Sequence, residues 1–521
     1  MQRLTGLDAT FLYMETPSSP MHVASLIMLD PASAPHGFSF EQVRELYKDR
    51  LDLAPPFRRR LVEVPFGIHH PVWIEDPDFD LDWHLRHIAV PKPGTMAELN
   101  ELVSHLVAMP LDRHHPLWEL WMIEGIEGGL VGVLSKVHHA AIDGASGQDL
   151  MVAILDLTPE VEQKPLPEIP WMPEHVPSDT ELVGHAAMSL AQSPLRAVKA
   201  VKRTVEAGLQ IRSTNKQPDQ TPPPAPFSAP RTSFNQALTP HRAFGTANLS
   251  LTDVKIVKNA FGVTVNDVIL ALCGGALRHY LDSRDEHPDG PLVAMVPISV
   301  RSEDQKGAMG NQVSSALSTL ATDIDDPVAR LQAIHDGMKG AKEQQNAIGA
   351  DLLQDWAEFA APLVAGRAAR LYSRMRVADR HRPLFNVTIS NVPGPPFPLY
   401  VAGARVVATY PIGPIFDGAG INMTVMSYLD SLDFGVNVCP ELIPDVDAVA
   451  DGLHHALEDL KKAADKSLGE PAPAPKAATG TTKTAAKAAA KRATKAGTKR
   501  AATKKATGAS TNGNGSAPAT D

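Results

Sequence analysis

Residues 138–144 read His138-His139-Ala140-Ala141-Ile142-Asp143-Gly144, behind the run Leu130-Val131-Gly132-Val133-Leu134-Ser135-Lys136-Val137. The run is strand-like, and Gly144 permits a turn after it. A strand that delivers a histidine to its end and then turns presents a general base to a cleft. Side chains of a strand alternate faces, so His138 and His139 are expected on opposite sides, and a given cleft receives one of them. Asp143 lies four residues past His139, placed either to orient that ring or to fix the loop through a distant arginine. Ala145–Leu155 fits a helix that anchors the turn. Three readings stand side by side: a general-base histidine, a structural His–Asp pair, and a metal site built on His138, His139 and Asp143. The facing rule and the lack of an H-x3-H or HExxH partner weigh against the metal. The other histidine pairs, His69-His70, His114-His115 and His454-His455, lack the xxxDG that follows here.

The rest of the chain narrows the chemistry. It carries no Walker loop, no GxGxxG behind a strand and no GxSxG elbow, which disfavours a nucleotide-dependent enzyme and a serine hydrolase. At 521 residues with 43% apolar content it exceeds one ordinary core, and two domains are expected. No apolar run reaches membrane-spanning length, and the first residues lack a signal core, so a lipid-handling role requires peripheral attachment. Cys273 and Cys439 have no metal-type spacing and read as reduced, buried thiols of a cytosolic protein.

Charge divides the chain. Residues 466–521 hold eleven Lys and Arg against two Asp and Glu, a balance of +9 that leaves −19 to residues 1–465. The tail is Ala, Lys, Thr and Gly without an aromatic residue. It cannot bury enough apolar surface to offset its ordering entropy and is expected to be disordered. In composition it resembles the basic tails of linker histones; it reads as a solvated tail without a fixed partner or as a segment drawn to anionic lipid or nucleic acid, and with no aromatic or folded basic surface beside it the tail does not by itself mark DNA binding. Prolines mark 158–179 as an extended connection and 213–242 as a crossover. Between them 181–211 is helix-compatible, and 195–203 reads as a basic amphipathic helix that packs on the protein or lies on a membrane. The expected organisation is an N-terminal unit 1–157, a crossover 158–242, a C-terminal unit 243–465 and the tail 466–521. In the second unit a short strand is expected at 247–251. Thr264 and Asp267 predict the capped start of a helix continued by Val268, Ile269, Leu272, Ala276, Leu277 and Tyr280. Further strands are expected at 292–300, 386–390 and 432–438.

An ordered set of blocks goes beyond generic chemistry. HHxxxDG is the active-site signature of acyltransferases shaped like chloramphenicol acetyltransferase and of peptide-synthetase condensation domains. Leu4-Thr5-Gly6-Leu7-Asp8-Ala9-Thr10-Phe11, Pro20-Met21-His22-Val23, Pro116-Leu117-Trp118 and Val265-Asn266-Asp267-Val268 accompany it. Val296-Pro297 to Arg301, Gly310-Asn311-Gln312, Ser390-Asn391-Val392-Pro393-Gly394-Pro395 and Ser427-Tyr428 follow in order. In this set the chain resembles the bacterial wax ester synthase/acyl-CoA:diacylglycerol acyltransferase family over about 1–460.

The resemblance implies an α/β fold of two chloramphenicol-acetyltransferase-like domains, mixed sheet and helices, with an active-site tunnel between them. It implies transfer of a long-chain acyl group from CoA to diacylglycerol or to a long-chain alcohol, with acyl-CoA as substrate, no cofactor and no metal. His139 is then the general base, His138 supports it or packs, and Asn266 supplies or organises an oxyanion donor, with a helix-cap role as its other reading. Asp143 orients the loop with Arg301 as its ion-pair partner. Gly144, Pro116, Trp118, Asn391 and Gly394 are candidate substrate-binding residues, with fold-building turns as the other reading of the Pro116 and Asn391 blocks. The expected location is the inner face of the plasma membrane or a lipid droplet. A different alcohol acceptor, of polyketide or glycolipid type, and a catalytically silent lipid-droplet or nucleoid-associated protein are the alternatives.

Overall fold

Two six-stranded sheets and one small sheet organise the protein, whose computed structural model describes residues 1–142, 153–161, 171–191, 224–225, 227–299, 313–348 and 362–469. Along the chain come β1 (Gln2–Arg3), α1 (Gly6–Met14), β2 (His22–Asp30), α2 (Phe40–Arg50), β3 (Arg59–Val62) and β4 (Val72–Glu75). Then follow α3 (Leu81–His84), β5 (Leu85–Ala89), α4 (Met96–Ala108), β6 (Trp118–Glu124), β7 (Val131–His138) and α5 (Asp179–Ala191). The later half holds β8 (Ala243–Ser250), α6 (Leu251–Phe261), α7 (Val265–Asp282), β9 (Val293–Ser299), β10 (Val313–Thr319) and α8 (Pro327–Ile348). It ends with α9 (Pro362–Arg374), β11 (Val387–Val392), β12 (Tyr400–Val401), β13 (Ala404–Ile412), β14 (Ile421–Tyr428), β15 (Ser431–Val438) and α10 (Val446–Gly469).

The first sheet runs β12-β13-β2-β7-β6-β5. Its apolar strands follow from burial on both faces. Val133 and Val137 of β7 enter one core with Trp118 and Met122, while Leu134 enters another with Leu99, Val103 and Val107 of α4. The second sheet runs β10-β9-β11-β14-β15-β8, with β9, β11 and β14 parallel neighbours. Its core is built on α7. The expected capping box is present: Thr264 Oγ1 accepts from the Asp267 N–H, and the Asp267 carboxylate accepts from the Thr264 N–H at 2.9 Å.

Sheets and chain halves do not coincide. β12 and β13 come from the segment read as the C-terminal unit, yet β13 pairs with β2 in the first sheet. Residues Met1–Leu468 accordingly form one compact unit. Periodicity reports which face of a strand is buried but not which distant strand lies beside it, so this exchange has no local signal. The crossover contains α5, whose Leu182 and Ala186 pack on Val64, Val72 and Ile74. The last helix reaches Gly469, into the stretch assigned to the tail by composition.

The seam between the sheets is polar and tight. Asp433 of β15 is buried, and its carboxylate accepts the Thr409 N–H of β13 at 2.8 Å and the Ser431 hydroxyl at 2.9 Å. Gly435 follows two residues on, where a Cβ would stand 2.0 Å from the Pro411 carbonyl oxygen. A methyl group cannot occupy that space without moving β13. Gly435→Ala is therefore expected to destabilise the protein by roughly 1–3 kcal/mol, lowering the thermal and urea midpoints. Unchanged midpoints would sink this account of the seam.

Candidate active site

The end of β7 brings three histidines and four charged residues to one place. Register sets His138 opposite His22 of β2. Lys136, His138 and Leu134 share the face toward α4. Lys136 is fully buried; its Nζ donates to the Met109 carbonyl at 2.9 Å and lies 3.3 Å from the Glu119 carboxylate. Burial lowers the pKa of that ammonium, against the opposing pull of Glu119. His22 Nε2 meets the Val107 carbonyl at 3.0 Å, and burial holds its pKa well below the ordinary imidazole value, with Lys136 and His138 adding to the effect.

His138 accepts a hydrogen bond at one ring nitrogen and turns the other toward a carboxylate. The Ala140 N–H donates to Nδ1 at 3.0 Å, so Nε2 carries the ring proton. That nitrogen stands 3.6 Å from Glu15 Oε1. Arg113 holds the same carboxylate through Nε at 3.0 Å and donates to the Leu12 carbonyl at 2.9 Å. Burial pushes the Glu15 carboxyl up, but bonding and charge from His138 and Arg113 together outweigh it and hold the pKa at about 2.

His139 begins the turn. Its N–H donates to the Met21 carbonyl at 2.9 Å. Its half-buried ring lies flat on Phe11, with centroids 4.1 Å apart and planes 5° from parallel. Phe11 and Glu15 belong to α1 and its C-terminal cap, so one short helix braces both histidines. That helix is fixed at its start by Thr5, whose Oγ1 accepts the Asp8 N–H at 3.1 Å and donates to the Asp8 carboxylate at 2.7 Å. An N-cap of this kind contributes about 1 kcal/mol.

Other expected site residues fall in two further places. The Pro116-Leu117-Trp118 block supports the strand end: the Leu117 carbonyl accepts the His138 N–H at 2.9 Å. Trp118 is buried in the core, its indole N–H on the Phe57 carbonyl at 2.8 Å and its ring stacked between Phe57 and His84. The side chains around it are packing partners of that core. Across in the second sheet, the Asn391 side-chain amide of β11 donates to Asn266 Oδ1 of α7 at 3.4 Å. Gly394 lies where β11 leaves the sheet. Its N–H donates to Ser427 Oγ at 3.1 Å, and a Cβ there would stand 2.0 Å from the Ser427 carbonyl. Asp143, Gly144 and Arg301 lie outside the described residues, as does the basic stretch 195–203. Among the described residues no three His, Cys, Asp or Glu side chains gather as a metal-ligand set.

Sequence reasoning missed Glu15, Arg113 and Lys136. Lys136 carried a usable signal, a lone charge inside an otherwise apolar strand. Glu15 and Arg113 are 98 residues apart, and nothing local links them.

Comparison with known proteins decides the relationship. Residues 4–269 match the wax ester synthase/diacylglycerol acyltransferase catalytic domain, and residues 309–461 match the C-terminal domain of the same proteins. The chain belongs to this family. A putative diacylglycerol O-acyltransferase of Mycobacterium tuberculosis is 38% identical over 466 residues, covering 89% of this chain and 91% of the relative. A probable diacylglycerol O-acyltransferase of the same species is 37% identical, covering 88% and 98%. The wax ester synthase/diacylglycerol acyltransferase of Marinobacter aquaeolei superposes with a TM-score of 0.61 at 30% identity, covering 89% of this chain and all of that one. A starter condensation domain of rhizomide synthetase shares the fold at a TM-score of 0.51 and 12% identity, covering 89% and 94%. The two-domain α/β fold is thus that of acyltransferases and condensation domains.

The Glu15 charge carries a pH signature within this family site. A carboxyl whose pKa falls from 4.5 to about 2 on folding stabilises the protein above pH 4.5, and the contribution disappears as pH drops toward 2. The linkage is on the order of 3 kcal/mol. Glu15→Gln is expected to unfold at lower temperature at pH 7 and to show a flatter melting profile between pH 4.5 and 2. Parallel profiles for the two proteins would contradict the assignment.

Proposed function

We propose that this protein is an acyl-CoA-dependent O-acyltransferase that moves a long-chain fatty acyl group from CoA to diacylglycerol, giving triacylglycerol, and to long-chain alcohols, giving wax esters. The observation that carries the proposal is the HHxxxDG histidine pair with its unequal surroundings, in a chain of this family. His138 cannot accept a proton at Nδ1 without giving up the Ala140 N–H. His139 is half-buried on a flat aromatic support and begins the turn at the strand end. His139 is therefore assigned as the general base.

In the proposed reaction the acceptor hydroxyl gives its proton to His139 as its oxygen attacks the thioester carbonyl. Imidazole suits this step near neutral pH. The negative charge that forms on the carbonyl oxygen needs a donor. The Asn391 contact occupies the acceptor oxygen of Asn266 and reserves its side-chain N–H donors, so Asn266 is assigned to that task. Collapse of the intermediate breaks the C–S bond, and the histidinium returns the proton to the departing CoA thiolate. No acyl-enzyme and no cofactor enter this scheme. Donor and acceptor are assigned to a tunnel between the two domains, with Asp143 and Arg301 fixing the histidine loop. Acceptors this insoluble are met at a lipid surface. The proposal therefore includes peripheral attachment to the inner face of the plasma membrane or to lipid droplets, with the basic tail as an accessory for anionic lipid.

The test is CoA release from palmitoyl-CoA with diacylglycerol, with hexadecanol and without acceptor. Release is expected to depend on acceptor and to fall by about 10²–10⁴ in His139→Ala. A folded wild type that is inactive on both acceptors would overturn the neutral-lipid reading and turn the search to other alcohols.

A further inference from the structure

Helix α9 exposes a face that a water-soluble surface does not need. Val364, Ala368 and Leu371 recur at helical spacing, and Met375, one residue past the helix end with its N–H on the Leu371 carbonyl, continues the outward stripe. Val364 is 66% exposed, Leu371 55% and Met375 47%. Arg367, Arg370 and Arg374 run along one edge of the stripe. Between residues 367 and 382 six exposed arginines stand against a single acidic residue, Asp379. That density occurs on a body whose net charge is −19 over residues 1–465. Of the six, Arg376 is paired to Asp379 at 2.7 Å and Arg382 reaches Asp289 at 3.4 Å.

The neighbours extend the apolar area. The turn at residues 65–67 packs beside both α9 and α5. It holds Phe66 at 85% exposure, in left-handed backbone with φ 59. A bulky side chain kept in that conformation and pointed at solvent has no packing explanation. Met188 of α5 is 70% exposed. On its opposite side α9 packs along α1, the helix that braces the histidines. Gly366 lies 3.9 Å, measured from the Cβ it lacks, from the Tyr13 carbonyl, and Ser373 Oγ is 3.1 Å from Ser18 Oγ.

We propose that α9, with the Phe66 turn and α5 beside it, is the face by which this protein docks on an anionic phospholipid bilayer. An apolar stripe edged by arginines is the arrangement that inserts shallowly between headgroups, with the cations on lipid phosphates. Charge selects the partner: an anionic surface attracts this arginine cluster and repels the acidic remainder, which orients the molecule. The docked face would lie one helix away from His139, so a lipid acceptor leaves the bilayer beside the site. This last step rests on the acyltransferase reading; the docking itself does not.

The test places a reporter in the stripe of the full chain. Leu371→Cys is labelled with an environment-sensitive dye, since native Cys273 and Cys439 are buried, and Lys48→Cys on α2 serves as control. Vesicles of phosphatidylcholine with phosphatidylglycerol are expected to blue-shift the dye at position 371 and leave it unchanged at position 48; pure phosphatidylcholine shifts neither. Adding Arg367→Glu, Arg370→Glu and Arg374→Glu is expected to raise the vesicle concentration needed about tenfold or more. Protein that sediments with vesicles while the dye at position 371 stays aqueous overturns the proposal and assigns binding to another region, such as the tail. A dye that shifts without vesicles as protein concentration rises also overturns it, in favour of a second copy of the chain. His139→Ala is expected to dock as wild type. Docking without acyl transfer by the wild type would remove the enzymatic reading and leave the surface standing.

Discussion

The clamp of α1 on the end of β7 is the contact on which the site depends. A strand end is a poor place to hold two imidazoles, because the backbone there leaves the ladder and its side chains lose their neighbours. Here the missing neighbours come from a nine-residue helix. Phe11 supplies a flat surface for His139, and the Glu15 carboxylate faces His138. The carboxylate is costly to bury and is held by the Arg113 guanidinium from the other side. Removing the guanidinium leaves the largely buried Glu15 carboxylate without its second partner. The arrangement therefore behaves as a unit, and the position of His139 inherits its rigidity.

A second constraint ties this unit to the rest of the molecule. The strand that closes the first sheet on β2 is β13, delivered from beyond residue 400. Its Thr409 N–H is held by Asp433 of the second sheet, and its Pro411 carbonyl lies against Gly435. Burial raises the pKa of the Asp433 carboxyl, against the backbone and side-chain donors that oppose the shift. A group in that position contributes through hydrogen bonds that need both strands in register. The two sheets are thereby locked to each other through polar contacts with direction, which apolar packing alone does not provide.

What the sequence disclosed follows from range. The strand before His138, the helix opened by Thr264 and Asp267, and the strands ending at Ser299, Val392 and Val438 are set by neighbours a few residues apart, and they are where the pattern puts them. The Thr5 and Asp8 cap sat in plain view inside a recognised block, but its purpose did not. Only the fold shows that it aims Phe11 at a ring 128 residues further on. The same holds for Pro116 to Trp118. Their composition suits a pocket wall as well as a core, and the difference is made by Phe57 and His84, which the fold brings against Trp118. The pairing of Asn266 with Asn391 likewise needs α7 laid across β11.

The paired histidines illustrate how identical side chains acquire different chemistry. Both begin as ordinary imidazoles, and alternation along the strand separates them. His138 then falls on the face that already holds Lys136 and His22, where a second positive charge would meet the first in a dry interior. The fold resolves this by lowering the basicity of His22 and Lys136 through burial and by setting a carboxylate against His138. His139 falls outside that face because the turn carries it off the ladder and onto the ring of Phe11. A base must be able to gain a proton and lose it within one turnover. The strand end carries the His139 ring away from the buried Lys136 and His22, and stacking on Phe11 of α1 restrains its plane.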